Sequence, residues 1–395
     1  MTSGGLTRRL LTPVLVAVLV LAAAGCTSEA PSIGTPARTT LDQGSDTTLS
    51  ADMTVTAGKP FPAERCEANH AAGTITFLTG FDYAAAASMV DVFVARSRGY
   101  YAALCLDVAI VASFSADNYA RVAADTAQFA SGSSFGELVD YAGRNEAQFR
   151  ALAVEGRHDM ATLIVKPGEG DELADLRGKE IGVRTAMLPS IEAMLLDHGL
   201  RAGTDYDIVQ LTGFDPKVHI ATPDVAAFDG YQSNEPLQLR AAGIDFRQFN
   251  PSDEAIPGSF GVIYSNATFI ETHPTAAEDF MRATMRGLRD ALNDPQAASE
   301  EAVKLLDASD NPLSLSAESE AARWQFESKV VADSATKAFP LGVPDPVLLE
   351  KEITTYGSLG VFHGITPDYS QAVDLTLLAS LYDSSGTIVW PALKN

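Results

Sequence analysis

Short apolar runs alternate with amphipathic stretches along most of the chain, and this alternation predicts its framework. Thr74-Ile75-Thr76-Phe77-Leu78 reads as a first strand. Residues 84–98 read as a helix stopped by Gly99, whose tolerance of a left-handed backbone suits a C-cap. Strands follow at 106–111, 127–130 and 149–154, separated by helical patterns at 117–125 and 135–143. A further apolar strand, 160–165, ends at Lys166-Pro167-Gly168, and a second alternation then begins. It comprises a strand at 180–183, a helix at 191–198, strands at 208–211 and 225–228, and a helix at 236–242 stopped by Gly243. Gly261-Val262-Ile263-Tyr264-Ser265 reads as a strand returning to the first half. Beyond it the periodicity is helical, at 276–292, 297–306, 318–332, 346–356 and 369–382. Strands alternating with helices predict an α/β fold, and roughly 330 folding residues suit two lobes better than one core.

The N-terminal stretch departs from this pattern. Thr7-Arg8-Arg9 precedes an apolar run from Leu10 to Ala24 and then Gly25-Cys26, with no acidic residue before the cysteine. Residues 1–25 therefore read as a signal peptide, by either the general or the twin-arginine route. The small residues before Cys26 resemble the lipobox of bacterial lipoproteins, which makes Cys26 the expected lipidation site. Residues 26–62 are rich in Thr, Ser, Ala, Gly and Pro without apolar periodicity, and are expected to be a flexible tether. A coil of that length reaches on the order of 30–35 Å.

A formal charge of −23 excludes nucleic acid as a partner, because no basic stripe is present to meet phosphates. It also leaves the lipid on Cys26 as the expected membrane contact. Cys66 and Cys105 precede the first and second strands, and in an exported protein they are expected to pair; the alternative is two separate thiols. The six histidines show no metal-ligand spacing and no cysteine beside them, so no metal site is expected.

Three motifs carry a family resemblance: Asp175-Leu176-Arg177-Gly178-Lys179 with Ile181-Gly182-Val183, the run Gly230 to Pro236, and His273-Pro274 leading into Phe280-Met281-Arg282-Ala283. They resemble the "DLKGKxIGV" opening of lobe two, the "NEP" loop, and the helix after the return crossover in substrate-binding proteins of ABC transporters. The branch is that of thiamine-pyrimidine-precursor, nitrate, sulfonate and taurine binders. The resemblance implies a two-lobe periplasmic-binding-protein-like fold of type II. Each lobe is then a mainly parallel sheet flanked by helices, with the ligand cleft between them. Lobe 1 is expected at 63–165 and 261–395, and lobe 2 at 166–260. Ala226 stands where the family usually carries an acid. The implied partners are a small ligand, an ABC permease with its ATPase, and the membrane through the lipid. The implied protein is a monomer on the outer face of the bacterial cytoplasmic membrane, with no cofactor and no catalytic residue. The enzymes among the family's eukaryotic relatives carry a cysteine-rich motif that this chain lacks.

In such a fold, strand ends and helix N-termini supply the cleft. Four segments qualify: Phe81-Asp82-Tyr83, Ser131 with Ser133-Ser134-Phe135, Arg184-Thr185, and Tyr231 with Asn234-Glu235. Phe81, Tyr83, Phe135 and Tyr231 are expected to sandwich a small, flat, pyrimidine-like heteroaromatic ring, while Asp82, Asn234 and Glu235 accept from its amino groups. Asp229-Gly230 reads as a turn before that last segment. Arg184 suits an anion instead, so a sulfonate or nitrate ligand is the alternative, and a surface sensor or scaffold a further one. Gly132-Ser133-Ser134-Phe135-Gly136 fits the G-x-S-x-G pattern of serine hydrolases, but no glycine-rich oxyanion motif precedes it.

Overall fold

The computed structural model describes residues 53–365 and 367–392; the expected signal peptide, Cys26 and residues 27–52 of the expected tether lie outside the described residues. Ten strands are described: β1 (Thr74–Leu78), β2 (Asp107–Val111), β3 (Phe129–Gly132), β4 (Phe149–Gly156), β5 (Ala161–Val165), β6 (Glu180–Val183), β7 (Asp207–Gln210), β8 (Val225–Tyr231), β9 (Arg247–Phe249) and β10 (Phe260–Asn266). The early helices are α1 (Ala63–Ala71), α2 (Val90–Ser97), α3 (Tyr100–Ala103), α4 (Ser115–Ala123), α5 (Phe135–Asn145), α6 (Pro189–Asp197), α7 (Pro216–Ala221) and α8 (Glu235–Ala241). The later ones are α9 (Ala267–Thr272), α10 (Pro274–Asn293), α11 (Pro295–Asp307), α12 (Ala317–Ser334), α13 (Pro346–Leu359) and α14 (Leu377–Ser380).

These strands form two five-stranded sheets, ordered β2-β1-β3-β10-β4 and β7-β6-β8-β5-β9. In each sheet one strand is reversed: β10 runs antiparallel to β3 and β4, and β5 antiparallel to β8 and β9. Parallel neighbours require a crossover helix, whereas a strand arriving from the other sheet does not. β5 and β10 are those arriving strands, so their reversal follows from the two crossings between lobes. Because β5 pairs within the second sheet, the first crossing falls between Gly156 and Ala161 rather than after residue 165.

The lobes share packing. One apolar cluster runs from Leu78 and Phe149 of the first sheet through Leu138 and Tyr356 to Ile181 and Met194 of the second lobe. At the N-terminal side, the buried Arg65 of α1 donates to Asp279 of α10 at 2.6 Å. Cys66 and Cys105 are bridged, with Cα atoms 5.2 Å apart. His70 lies beside that bridge, contrary to the expectation of no cysteine near a histidine, but a disulfide leaves no thiolate to ligate a metal.

Several boundaries differ from the sequence expectation for local reasons. Residues 53–62 are held rather than free: Gly58 donates to the Trp390 carbonyl, and Ala392 to that of Lys59. The helix expected from residue 84 begins at Val90, because the Ala85 and Ala87 amides donate to Glu320 and Glu327 and Ser88 has φ 60°. No continuous helix spans 369–382. Instead Val373 bridges to Ala151 along β4, and the Asp374 carboxylate starts the short α14 afresh by accepting from the Thr376 and Leu377 amides. Asp229-Gly230 is not a turn. Both residues continue β8, opposite Leu163 and Thr162 of β5.

Candidate functional site

A cavity of about 350 Å³ lies between the sheets, lined from both lobes. The loops after the parallel strands build it, as expected where several strands end together. Phe81 follows β1, Phe114 follows β2, Ser131 lies near the end of β3 with Ser133 just after it, and Arg184 and Thr185 follow β6. Phe214 follows β7, and Asp229, Tyr231 and Asn234 belong to the β8–α8 junction.

Three phenylalanines from both lobes meet here. The Phe114 and Phe214 rings are stacked at 5.2 Å and 6°, and Phe81 sets its ring on edge to Phe214 at 5.3 Å. The guanidinium of Arg184 lies over Phe214 at 5.4 Å, and that of Arg323 over Phe81 at 5.6 Å. An aromatic cluster with cations on its faces offers flat apolar surface inside a charged frame.

The frame is built by α12. Its buried face carries Glu320, Arg323, Trp324, Glu327 and Val331 at helical spacing. Glu320 and Glu327 accept from the Ala85 and Ala87 amides of lobe 1 at 2.7 and 2.6 Å. Ser233 of lobe 2 donates to Glu327 at 2.6 Å, and Arg323 donates to the Asn234 side-chain oxygen at 2.7 Å. One helix thus joins the lobe 1 loop to the lobe 2 loop.

Glu235 organises its own loop rather than facing the cavity. Its carboxylate accepts from the Tyr231 amide at 2.8 Å and the Asn234 side chain at 2.9 Å, and pairs with Arg184 at 3.3 Å. A Cβ on Gly230 would lie 2.7 Å from Glu235 Oε2, so glycine is what lets the carboxylate fold back. Pro236 stands in the first turn of α8, where a missing N–H costs nothing.

Of the twelve residues expected at a ligand site, the cavity brings together Phe81, Ser131, Ser133, Arg184, Thr185, Tyr231 and Asn234, with Glu235 behind them. Asp82, Tyr83, Ser134 and Phe135 do not line it. Asp82 is turned inward at φ 47°, and Tyr83 packs edge-on against Phe93. Phe135 is wholly buried in the core. Ser134 caps α5 by accepting from the Glu137 amide at 3.2 Å. The glycines around it have packing reasons too, since Gly136 presses its backbone on Tyr356 and donates to Glu352 at 2.8 Å. Among the described residues no histidine bonds Ser134. Sequence reasoning missed Phe114, Phe214, Asp229 and the α12 charges. The first two follow strands β2 and β7, in the same position after a strand that singled out Phe81.

Burial raises the carboxyls of Glu137 and Asp229, which line the cavity, to about 7; for Asp229, Arg184 opposes the shift. Burial likewise raises Asp159 to about 7 and Glu352 to about 8. All four lie above the ordinary carboxyl range near 4, so the folded state holds protons that the unfolded chain releases. Their contribution to stability is complete below about pH 4 and is lost as pH rises through 7 and 8. The melting temperature of the ligand-free protein is therefore expected to fall between pH 5.5 and 8.5 in thermal unfolding, and a flat or rising profile would contradict these burials.

Residues 87–298, more than half of the chain, match the NMT1/THI5-like family model. The chain belongs to that family. Arg184, Asp229, Tyr231 and Asn234 fall inside the matched stretch, whereas Phe81 and α12 lie outside it. The riboflavin-binding protein RibY of Chloroflexus aurantiacus is 29% identical over 211 residues, 52% of this chain and 59% of RibY. The chain thus matches less than two thirds of that relative's length. The periplasmic aliphatic sulphonate binding protein SsuA from Escherichia coli superposes with a TM-score of 0.55 at 11% identity, covering 76% of this chain and 91% of SsuA. The desulfurization enzyme DSZB superposes at 0.51 with 13% identity, covering 78% of this chain and 98% of DSZB. Likeness at such identity carries fold alone. This NMT1/THI5-like chain has the periplasmic-binding-protein fold, and since that fold also houses an enzyme, function has to be argued from the site.

Proposed function

We propose that this chain is an exported substrate-binding protein that closes its two lobes on a flat heteroaromatic ligand of flavin class and hands it to an ABC permease. The observation that carries the reading is the cavity between the lobes, where Phe81, Phe114 and Phe214 cluster beside buried acids and hydroxyls. Its volume, about 350 Å³, falls at the lower end of the range for drug-sized ligands and exceeds what one pyrimidine ring fills. The likeness to RibY supports the same class. Ligand contacts made to both lobes at once favour the closed form, which is the only way binding can drive closure. We read the protein as non-catalytic and monomeric, tethered by a lipid on Cys26 to the outer face of the cytoplasmic membrane, where the permease and its ATPase are its partners.

The anion reading rests on Arg184 and Arg323, both of which line the cavity. Each already faces a carboxylate, Glu235 at 3.3 Å and Glu320 at 3.1 Å, which leaves little positive charge for a sulfonate or nitrate. A thermal-shift screen separates the two. Riboflavin or lumichrome at saturation is expected to stabilise the protein by about 2–4 kcal/mol, with no shift from alkanesulfonates or nitrate. The reverse pattern would move the assignment to the anion binders.

A further inference from the structure

Asp229 stands out within the cavity. It is 4% exposed and lines the space between the lobes; its Oδ1 is closed off without a hydrogen-bond partner, and its Oδ2, the oxygen that keeps accessible surface, accepts no hydrogen bond from the described residues. Alternation along β8 puts Asp229 on the same face as Tyr231, which also lines the cavity. A buried carboxylate oxygen without a partner is costly, and natural folds rarely leave one so. The groups around it are already engaged. Arg184 pairs with Glu235 at 3.3 Å, and Glu235 also takes the Tyr231 and Asn234 donors. The Asn234 oxygen accepts from Gln238 and Arg323, each at 2.7 Å. The fold therefore commits Arg184, Glu235 and the Asn234 side chain to one another and leaves an acceptor at Asp229.

We infer that Asp229 is a specificity-determining acceptor for a ring N–H of the ligand, so that the site selects heteroaromatics with an imide or lactam N–H edge over their N-alkylated forms. The inference rests on the ring-ligand reading proposed above and names the feature of the ring that is read. Burial holds this carboxyl near 7, and a ring N–H draws it into the ionised, acceptor-only form, whereas a ring without that donor leaves the oxygen unpaired. A site built to hydrogen-bond a ligand group rejects the analogue without it far more strongly than an apolar pocket does. Asp229 is carried by the second lobe, whereas Phe81 and Phe114 belong to the first. A ring held on those phenylalanines and bonded to Asp229 links the two lobes, which couples recognition of its N–H to closure.

The test uses riboflavin, which carries an imide N–H, and 3-methylriboflavin, in which that hydrogen is replaced by a methyl group. Full-length wild-type protein is expected to bind riboflavin at least about tenfold more tightly than the methylated ring. Asp229→Leu should lose most of that preference by weakening riboflavin alone, and Asp229→Asn, which keeps an acceptor oxygen, should retain part of it. Equal affinity of wild-type protein for both rings overturns the inference without recourse to a variant. An unchanged preference in a folded Asp229→Leu protein overturns it as well, while leaving the ring-binding function standing. Failure of wild-type protein to bind either ring overturns the functional reading and this inference together.

Discussion

Replacing Arg323 with alanine is expected to abolish ligand capture and to lower stability by about 3–5 kcal/mol. Its guanidinium donates to Glu320 at 3.1 Å and to the Asn234 oxygen at 2.7 Å, and it covers the face of Phe81. Glu320 is wholly buried and also holds the Ala85 amide. Removing the cation leaves that carboxylate without its partner in the interior and breaks the Asn234 tie of the lobe 2 loop to α12, leaving only Ser233 on Glu327. Breaking one side of a buried pair costs far more than replacing both sides. The double variant Glu320→Gln, Arg323→Met should therefore recover much of the stability in urea unfolding without recovering binding, because the Asn234 contact stays lost. Full ligand affinity in that double variant would show that the Arg323–Asn234 contact does not position the loop.

The second large effect is expected at Phe214. It is the one ring of the three-phenylalanine cluster contributed by lobe 2, and it touches both Phe81 and Phe114 of lobe 1. Phe214→Ala should weaken ligand binding by about 2–3 kcal/mol, roughly 30- to 150-fold, as truncation of a buried aromatic anchor does. The ring is only half-buried and lies in a loop, so the melting temperature of the ligand-free protein should hardly move. Stopped-flow measurement should place the loss in faster ligand release. A variant that melts early and binds normally would make Phe214 a packing residue.

Much of this was legible because apolar period and turn chemistry are local. The strand-to-helix alternation, its renewal from Asp175, and the loop from Tyr231 to Pro236 all lie within single elements and their flanks, whereas the lobe of β5 depends on its distant partners β8 and β9. What escaped is what requires two distant segments. Glu320, Arg323 and Glu327 occupy the same helical stripe as Trp324, and charges on an apolar stripe mark a buried network. Nothing in the periodicity says that their partners are Ala85, Ala87, Ser233 and Asn234. Asp229 was misread because Asp-Gly is a turn signal in isolation, while pairing with β5 keeps it in a strand. Ser134 and Phe135 were drawn to the cleft by their place after β3, but a cap and a core position claim them instead.

The central claim is that the cavity between the lobes holds a flat ring. Riboflavin fluorescence titrated with the protein tests it most directly, because Tyr231 lines the cavity and a tyrosine beside a bound flavin quenches its emission by electron transfer. The account predicts saturable quenching at one ligand per protein, with Phe214→Ala shifting the curve to higher protein concentration. Unchanged fluorescence across the titration, together with saturable binding of an alkanesulfonate, would contradict it.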